Sequence, residues 1–346
     1  MEPVGKRVTL AQVARRAGVS VMTASYAYNR PERVSAQARA RVLAAADQLG
    51  YAGPDPGARS LRRGSSRTLG VALGEHLSYA FEDPGAIAFL AGVAEVCADH
   101  GYGMTILPVA GASDDVRRIA DAAVDGFIVW TTADDDPVLT AVQSRKRPAV
   151  IHGGPAVDGL GLVSIDNRAA ASAIGALAFA GAQRLAVVSQ PLTRQRVSSI
   201  TSGVDISEVS FPVTRDRLEG YGRAAHDLGV RWADVTVATC ARNDASEAER
   251  LAAALLALPD APDAIAAMSD EQAAGVLRAA GAAGRRIPDD LAVTGWDDAP
   301  AAAELGLTTV AQSLREQGAA CALAALGHEF SAQAPWTLVP RSSTRR

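Results

Sequence analysis

Several short runs of this sequence hold side chains suited to gripping a polar small molecule. Asp166-Asn167-Arg168 follows the run Val163-Ser164-Ile165, and Arg217 stands in RDRLEGY with Gly220 and Tyr221 behind it. Trp296, Asp297 and Asp298 follow LAVTG, and Trp130 closes GFIVW. Carboxylates accept from hydroxyls in fixed geometry, a guanidinium donates a planar fork, and an indole face covers the apolar side of a ring. Converging in a cleft, Asp166, Arg217, Trp296, Asp297 and Trp130 would suit a polyhydroxylated ligand. Each polar residue also has a plain structural use: Asp166 as a helix N-cap, Arg217 in a surface pair, Asp298 in solvent.

Catalysis is poorly served. The nucleotide-binding, nucleophile-elbow and zinc-protease runs GxxxxGKS/T, GxGxxG, GxSxG and HExxH do not occur. His76, His100, His152, His226 and His328 are isolated, without metal-ligand spacing. Asp297 and Asp298 would point to opposite sides of an extended chain, a poor acid–base couple. Cys97, Cys240 and Cys321 are far apart, which fits neither a disulfide framework nor a metal site. We therefore expect no enzyme, no metal and no cofactor, with a small-molecule effector as the ligand.

The elements that position these residues alternate. RTLGVAL, YGMTILPV, DGFIVWT, RPAVIHG, RLAVVS, DVTVATC, DAIAAMS and LAVTGW are short Val/Ile/Leu-rich runs bounded by turn residues. Ala-rich helical stretches separate them at 86–100, 114–123, 167–181, 217–229, 245–258 and 271–283. Such alternation implies parallel sheets with helices on both faces. Some 270 residues fill two such lobes better than one. Ligands of open α/β sheets sit beyond the carboxyl ends of the strands, which is where the residues above fall.

The first 67 residues differ in kind. They hold twelve Lys and Arg against four acids, leaving 22 bases against 34 acids for the rest. A basic head on an acidic body points to a polyanion as partner of the head. In TLAQVARRAGVS, Thr9 and Gln12 form a capping box, and Leu10, Val13, Ala14 and Ala17 repeat at helical spacing. Gly18 supplies a tight turn, and Ser20 caps a second helix from Val21 to about Tyr28. A third runs from Ser35 to about Leu49, with Val42, Leu43, Ala46 and Leu49 apolar. This pattern is that of a helix-turn-helix, whose second helix meets base edges through its first residues, here Val21, Met22, Ser25 and Tyr26. A plain three-helix bundle is the bland alternative. Beyond Tyr51, the Pro- and Gly-broken stretch to Arg67 carries Leu61 among Arg59, Arg62, Arg63 and Arg67. It serves equally as a solvated linker or as a minor-groove wedge. The first ten residues lack an apolar core, and no stretch suits a spanning helix, so no secretion signal and no membrane partner are expected; the compartment is cytoplasmic.

TLAQVARRAGVSVMTASYAYN, followed by VSAQARARVLAAADQLGY and ARSL, resembles the lactose-repressor (LacI/GalR) family of bacterial regulators. The resemblance extends through MSDEQAAGVLRAAGAAGRRIPDDLAVTGWDD, LTTVAQSLREQGAACALAAL and the tail RSST. It implies an all-α helix-turn-helix head on a two-lobed, periplasmic-binding-protein-like α/β body. The implied domains are a DNA-binding head at 1–52, a hinge at 53–66 and an effector-binding and dimerisation domain at 67–346. The lobes are about 67–182 with 312–334, and about 183–311 with 335–346. By the same resemblance Val21, Met22 and Tyr26 read bases, and Thr9, Leu10, Ser20, Thr23, Ser25, Asn29 and Ser35 lie at the DNA. Ala58, Arg59 and Leu61 form a hinge whose leucine intercalates. Asp166, Arg217, Trp296, Asp297, Ser269, Leu314 and Trp130 are the implied effector contacts. Tyr26 stands where many members have Arg, the hinge is one residue longer than usual, and 193–214 is a longer connection that suggests a flap at the cleft mouth. The expected function is a homodimeric repressor of a pseudo-palindromic operator, controlled by a sugar, polyol or nucleoside. An activator or co-repressor-dependent regulator is the alternative; a sugar carrier or an enzyme is a distant one.

Overall fold

The computed structural model describes residues 8–53, 64–109 and 111–345. The chain divides into two compact units, Met1–Ser66 and Arg67–Arg346.

In the first unit three helices follow the expected signals: α1 Leu10–Ala17, α2 Val21–Asn29 and α3 Ala36–Leu49. The Thr9 N–H donates to Gln12 Oε1 at 2.8 Å, and Thr9 Oγ1 accepts from the Gln12 N–H at 3.4 Å, which closes the capping box. Gly18 takes φ 63°, a left-handed value that costs glycine nothing, and so turns α1 into α2. Ser20 and Ser35 cap α2 and α3 through the N–H groups of Thr23 and Ala38. The core is made of small side chains around Val13 and Val42, with Ala14, Ala24, Ala27, Ala45 and Ala46 buried. Leu43 is a correction: it lies on the outer side of α3, 41% exposed, while Ala45 takes the inward position.

The second unit holds two five-stranded sheets. Strands β1 Thr68–Leu73, β2 Gly103–Pro108, β3 Gly126–Trp130, β4 Ala149–His152 and β5 Gly161–Val163 form an all-parallel sheet in the order β2-β1-β3-β4-β5. The other sheet has the order β10-β9-β6-β8-β7, from β6 Leu185–Ser189, β7 Ser199–Ser202, β8 Thr236–Thr239, β9 Ala264–Ala267 and β10 Ala292–Thr294. Here β7 runs antiparallel to β8, a departure from the all-parallel expectation. It lies within the long connection 193–214 and pairs as an exposed edge. A two-stranded ribbon joins β11 Thr309–Gln312 to β12 Trp336–Val339.

Helices cover both faces of each sheet. On the first these are α4 Tyr79–Glu82, α5 Pro84–His100, α6 Asp115–Asp121, α7 Pro137–Ser144 and, late in the chain, α13 Leu314–Ala325. On the second they are α8 Asn167–Ala178, α9 Pro212–Asp227, α10 Ala245–Leu256, α11 Asp270–Ala282 and α12 Pro300–Glu304. Four buried apolar clusters result, one on each face of each sheet, so each lobe has its own core. In both sheets the strand order reverses beside the first strand of the lobe, β1 or β6, which opens a crevice at their carboxyl ends.

Helices α5 and α13 cross at Gly92 and Gly318. An added Cβ at Gly92 would run into the Arg315 carbonyl oxygen, and one at Gly318 into that of Phe89. Backbone cannot yield as a side chain can, so Gly92→Ala should cost about 1–3 kcal/mol in a urea midpoint despite alanine's better helix propensity. An unchanged midpoint would show that the crossing has slack.

Candidate functional site

A cleft of the second unit, enclosing about 890 Å³ with its open mouth included, lies between the carboxyl ends of the two sheets. Glu75 follows β1, Trp130 and His152 end β3 and β4, and Gln190 and Asn243 follow β6 and β8.

Arg217 is its anchor. Helix α9 begins at Pro212, so Arg217 sits in the second turn rather than at the front, and is only 5% exposed. Its Nε donates to Asn167 Oδ1 at 2.9 Å and Nη1 to the Met268 carbonyl at 2.7 Å. The guanidinium carbon lies 3.9 Å from the centre of a Trp296 ring, a stacking contact that holds the plane of the fork. Burial works against its charge, and Asp297 opposes that effect.

Asp297 reaches the cleft on a left-handed turn, φ 104° at Asp297 and 53° at Asp298. The turn separates the two carboxyls: Asp298 pairs with Arg341 at 2.7 Å, whereas Asp297 accepts from Gln312 Nε2 at 2.7 Å and lines the cleft. Burial pushes the Asp297 carboxyl up to about 7; Arg217 and Gln312 pull it down, and Asp270 adds to the rise. Gln312 Oε1 in turn accepts from Gln317 Nε2 at 2.9 Å, and Gln317 Oε1 is 3.0 Å from His152 Nε2. That buried imidazole is held neutral, its pKa brought to about 4 by burial. It is packed against Phe89 and Trp130, with ring centres 4.8 and 5.1 Å away.

Of the seven expected contacts, Arg217, Asp297, Trp130 and Leu314 line the cleft. Two expectations are corrected. Asp166 is exposed and spends its carboxyl capping α8 through the Ala169 N–H at 2.9 Å, while the neighbouring Asn167 faces inward. Trp296 is fully buried behind Arg217, so it orients the guanidinium instead of meeting a ligand. Ser269, 1% exposed, caps α11 and donates to Asn243 Oδ1 at 2.5 Å. It borders the adjoining recess that shares Asn243, Asp297 and Leu314 with the main cleft. Sequence reasoning missed Glu75, Tyr79, Asp83, His152, Arg196, Asn243, Gln312 and Gln317. Glu75, His152 and Asn243 end strands or follow them, so the strand-end rule would have found them. Tyr79, Asp83 and Arg196 arrive on helices and connections whose path only tertiary structure shows.

The first unit presents a different surface. Val21 and Met22, at the start of α2, are 51% and 64% exposed with no apolar partner surface to explain them. Ser25 and Tyr26 are half-buried one turn on, and Asn29 Nδ2 donates back to the Ser25 carbonyl at 3.1 Å. Thr9, Ser20 and Ser35 are exposed and Leu10 and Thr23 half-buried. Arg15, Arg16, Arg30, Arg33, Arg39 and Arg41 are all exposed. This is a helix N-terminus bearing uncapped apolar side chains amid cations, the arrangement a major groove receives. Ala58, Arg59 and Leu61 lie outside the described residues.

Comparison with known proteins places both units. Residues 9–53 match the lacI family of bacterial regulatory proteins, and 175–344 match the periplasmic binding protein-like domain. The chain is 36% identical over 318 residues to the HTH-type transcriptional regulator Rv3575c of Mycobacterium tuberculosis, covering 90% of this chain and 89% of that one. It is also 36% identical to the HTH-type transcriptional regulator IpsA of Corynebacterium glutamicum, with 90% and 88% covered. A crystal structure of a LacI-family transcriptional regulator from C. glutamicum superposes with a TM-score of 0.73 at 30% identity, covering 98% and 100%. The lac repressor dimer bound to operator shares the fold, TM-score 0.72 at 23% identity, with 98% and 99% covered. With a helix-turn-helix head and a two-lobed body whose cleft is lined by polar side chains, the chain belongs to the lacI family of transcriptional regulators.

Proposed function

We propose that this regulator is a cytoplasmic homodimeric repressor. Its two heads, residues 1–52, bind the half-sites of a pseudo-palindromic operator, and its hinge, 53–66, docks in the minor groove through Leu61. A sugar, polyol or nucleoside bound in the cleft of residues 67–346 sets the DNA affinity. The observation that carries this is the cleft itself: Arg217, held from three sides, beside the ionisable Asp297, with Trp130 on the wall. A fixed fork, a carboxyl acceptor and an indole are what adjacent hydroxyls on a ring require. Two structural relatives support the partners: the lac repressor was solved as a dimer on operator, and the regulator CelR in complex with cellobiose. Coupling of ligand to DNA needs only a few kcal/mol of differential affinity between two arrangements of the lobes.

Selection of bound duplexes from a random DNA pool tests the reading. The expected outcome is an inverted repeat whose half-sites carry thymines where Val21 and Met22 meet base edges, since apolar side chains suit the thymine methyl. Failure to enrich any sequence, with and without candidate metabolites, would overturn it. In the same assay Leu61→Ala should weaken binding to the selected site by tenfold or more and leave random DNA unaffected, as a wedge acts only at a deformable step. Equal losses on both DNAs would remove the wedge.

A further inference from the structure

Two guanidinium groups face the cleft, and both are engaged. Arg217 is fixed by Asn167, Met268 and Trp296, as described. Arg196 comes from the long connection 193–214 and crosses to the other lobe. There its Nη2 pairs with Glu75 at 2.7 Å and donates to the Gly74 carbonyl at 2.9 Å, while the guanidinium stands 5.5 Å from the Phe211 ring centre. The same connection is held to the first lobe at Ser210, whose carbonyl accepts from the Asp134 N–H at 3.1 Å, and Arg215 of α9 pairs with the Asp134 carboxyl. Arg196 is thus placed at the cleft by an insertion and tied down on arrival.

Opposite these two cations stand three carboxyls, of Glu75, Asp83 and Asp297. Asp83 forms no ion pair among the described residues; it caps α5 through the Ala86 N–H at 2.8 Å and accepts from Asn243 at 2.7 Å. His152 is neutral. With its carboxyls ionised the lining is therefore anionic, and it lies in a half-enclosed space where charges are screened less than in water. A phosphate or carboxylate brought here would meet like charge, and of the two guanidinium groups Arg196 is already neutralised by Glu75. Hydroxyl groups carry no such penalty.

We propose that Glu75 is a specificity-determining residue: by holding Arg196 across the cleft it withholds the cation an anion would need, so that the effector is an uncharged polyol and its phosphorylated or carboxylated relatives are refused. This rests on the cleft being the effector site. Glu75 sets the sign of what is accepted, while Arg217 and Asp297 hold what enters.

The test is gain of function in the full-length protein at pH 8. Glucose 6-phosphate and inorganic phosphate are titrated into the wild type, Glu75→Gln and the Glu75→Gln/Arg196→Gln pair, followed by calorimetry and by tryptophan fluorescence. The wild type should show no binding in the millimolar range. Glu75→Gln should bind glucose 6-phosphate at least about tenfold more tightly, and the double variant should lose that gain. Wild-type protein that binds the phosphate ester as well as Glu75→Gln does overturns the proposal. So does a Glu75→Gln protein with a native melting transition and no gain; if that transition is lost, Glu75→Ala repeats the comparison. Glucose, inositol and cellobiose are run alongside: if no neutral compound binds the wild type, the polyol reading suffers, whereas the phosphate comparison still decides the role of Glu75.

Discussion

Arg217→Ala should leave operator binding nearly intact and abolish its regulation, with effector affinity down by about 10²–10³-fold. The size follows from burial. Leaving a buried hydrogen-bond acceptor unpaired costs about 1–3 kcal/mol. Here two are left, Asn167 Oδ1 and the Met268 carbonyl, and Asp297 loses the charge that keeps its carboxyl from rising further. Arg217→Lys should fail almost as fully, because an ammonium cannot hold both acceptors while lying flat on Trp296. Titration of the effector against a labelled operator duplex is the measurement. A variant that releases DNA at the wild-type concentration would place the ligand elsewhere.

The second large effect is on pH dependence, and its two readouts run in opposite directions. Asp297 keeps its proton to about pH 7 in the folded protein, against an ordinary value of 3.8. Between those values the folded state binds more protons than the unfolded, so the contribution of this carboxyl to stability is fully present below about pH 4 and is lost as pH rises to about 7. The loss is of the order of 4 kcal/mol at most. Asp297→Asn keeps the shape and removes the titration. Its melting temperature should lie well above the wild type at pH 8, with the gap narrowing through pH 5 and closing near pH 4. Asp270, raised to about 6 mainly by burial, blunts the comparison slightly, since it is one of the charges that act on Asp297. Effector affinity of the wild type should move the other way and grow as pH passes 7, because an ionised acceptor makes the stronger bond to a hydroxyl. Parallel melting curves for the two proteins between pH 5 and 8 would sink the assignment.

How much was legible beforehand differs between the units. In the first, caps, turn and apolar spacing all act within four residues, and each does what its sequence says: Thr9 with Gln12, Gly18 at φ 63°, Ser20 and Ser35. The miss at Leu43 is one of face, since an alanine-rich helix leaves the apolar stripe ambiguous. In the second, the eight apolar runs are strands and the helical stretches between them are helices, although β7 and α7 are too short or too polar to announce themselves.

The cleft shows where that legibility stops. Strand-end placement led to Arg217, Asp297 and Trp130, because a strand's carboxyl end is local information. It led to Asp166 and Trp296 as well, and there it was wrong by one residue and by one layer. Which of Asp166 and Asn167 faces inward depends on the roll of α8 against α9, and Trp296 is hidden in the core of the second sheet with Arg217 stacked on it. The sequence by itself determined the order of most helices and strands and the division into a basic head and an acidic body, since these rest on local periodicity, capping and net charge; its motifs carried the resemblance to the family. Tertiary structure alone decided that Glu75 meets Arg196 across 121 positions of chain, that His152, Gln317 and Gln312 run in line to Asp297, and that two arginines face the same space. Such pairings depend on how two separately folded lobes close on each other, and no spacing within the chain encodes that distance.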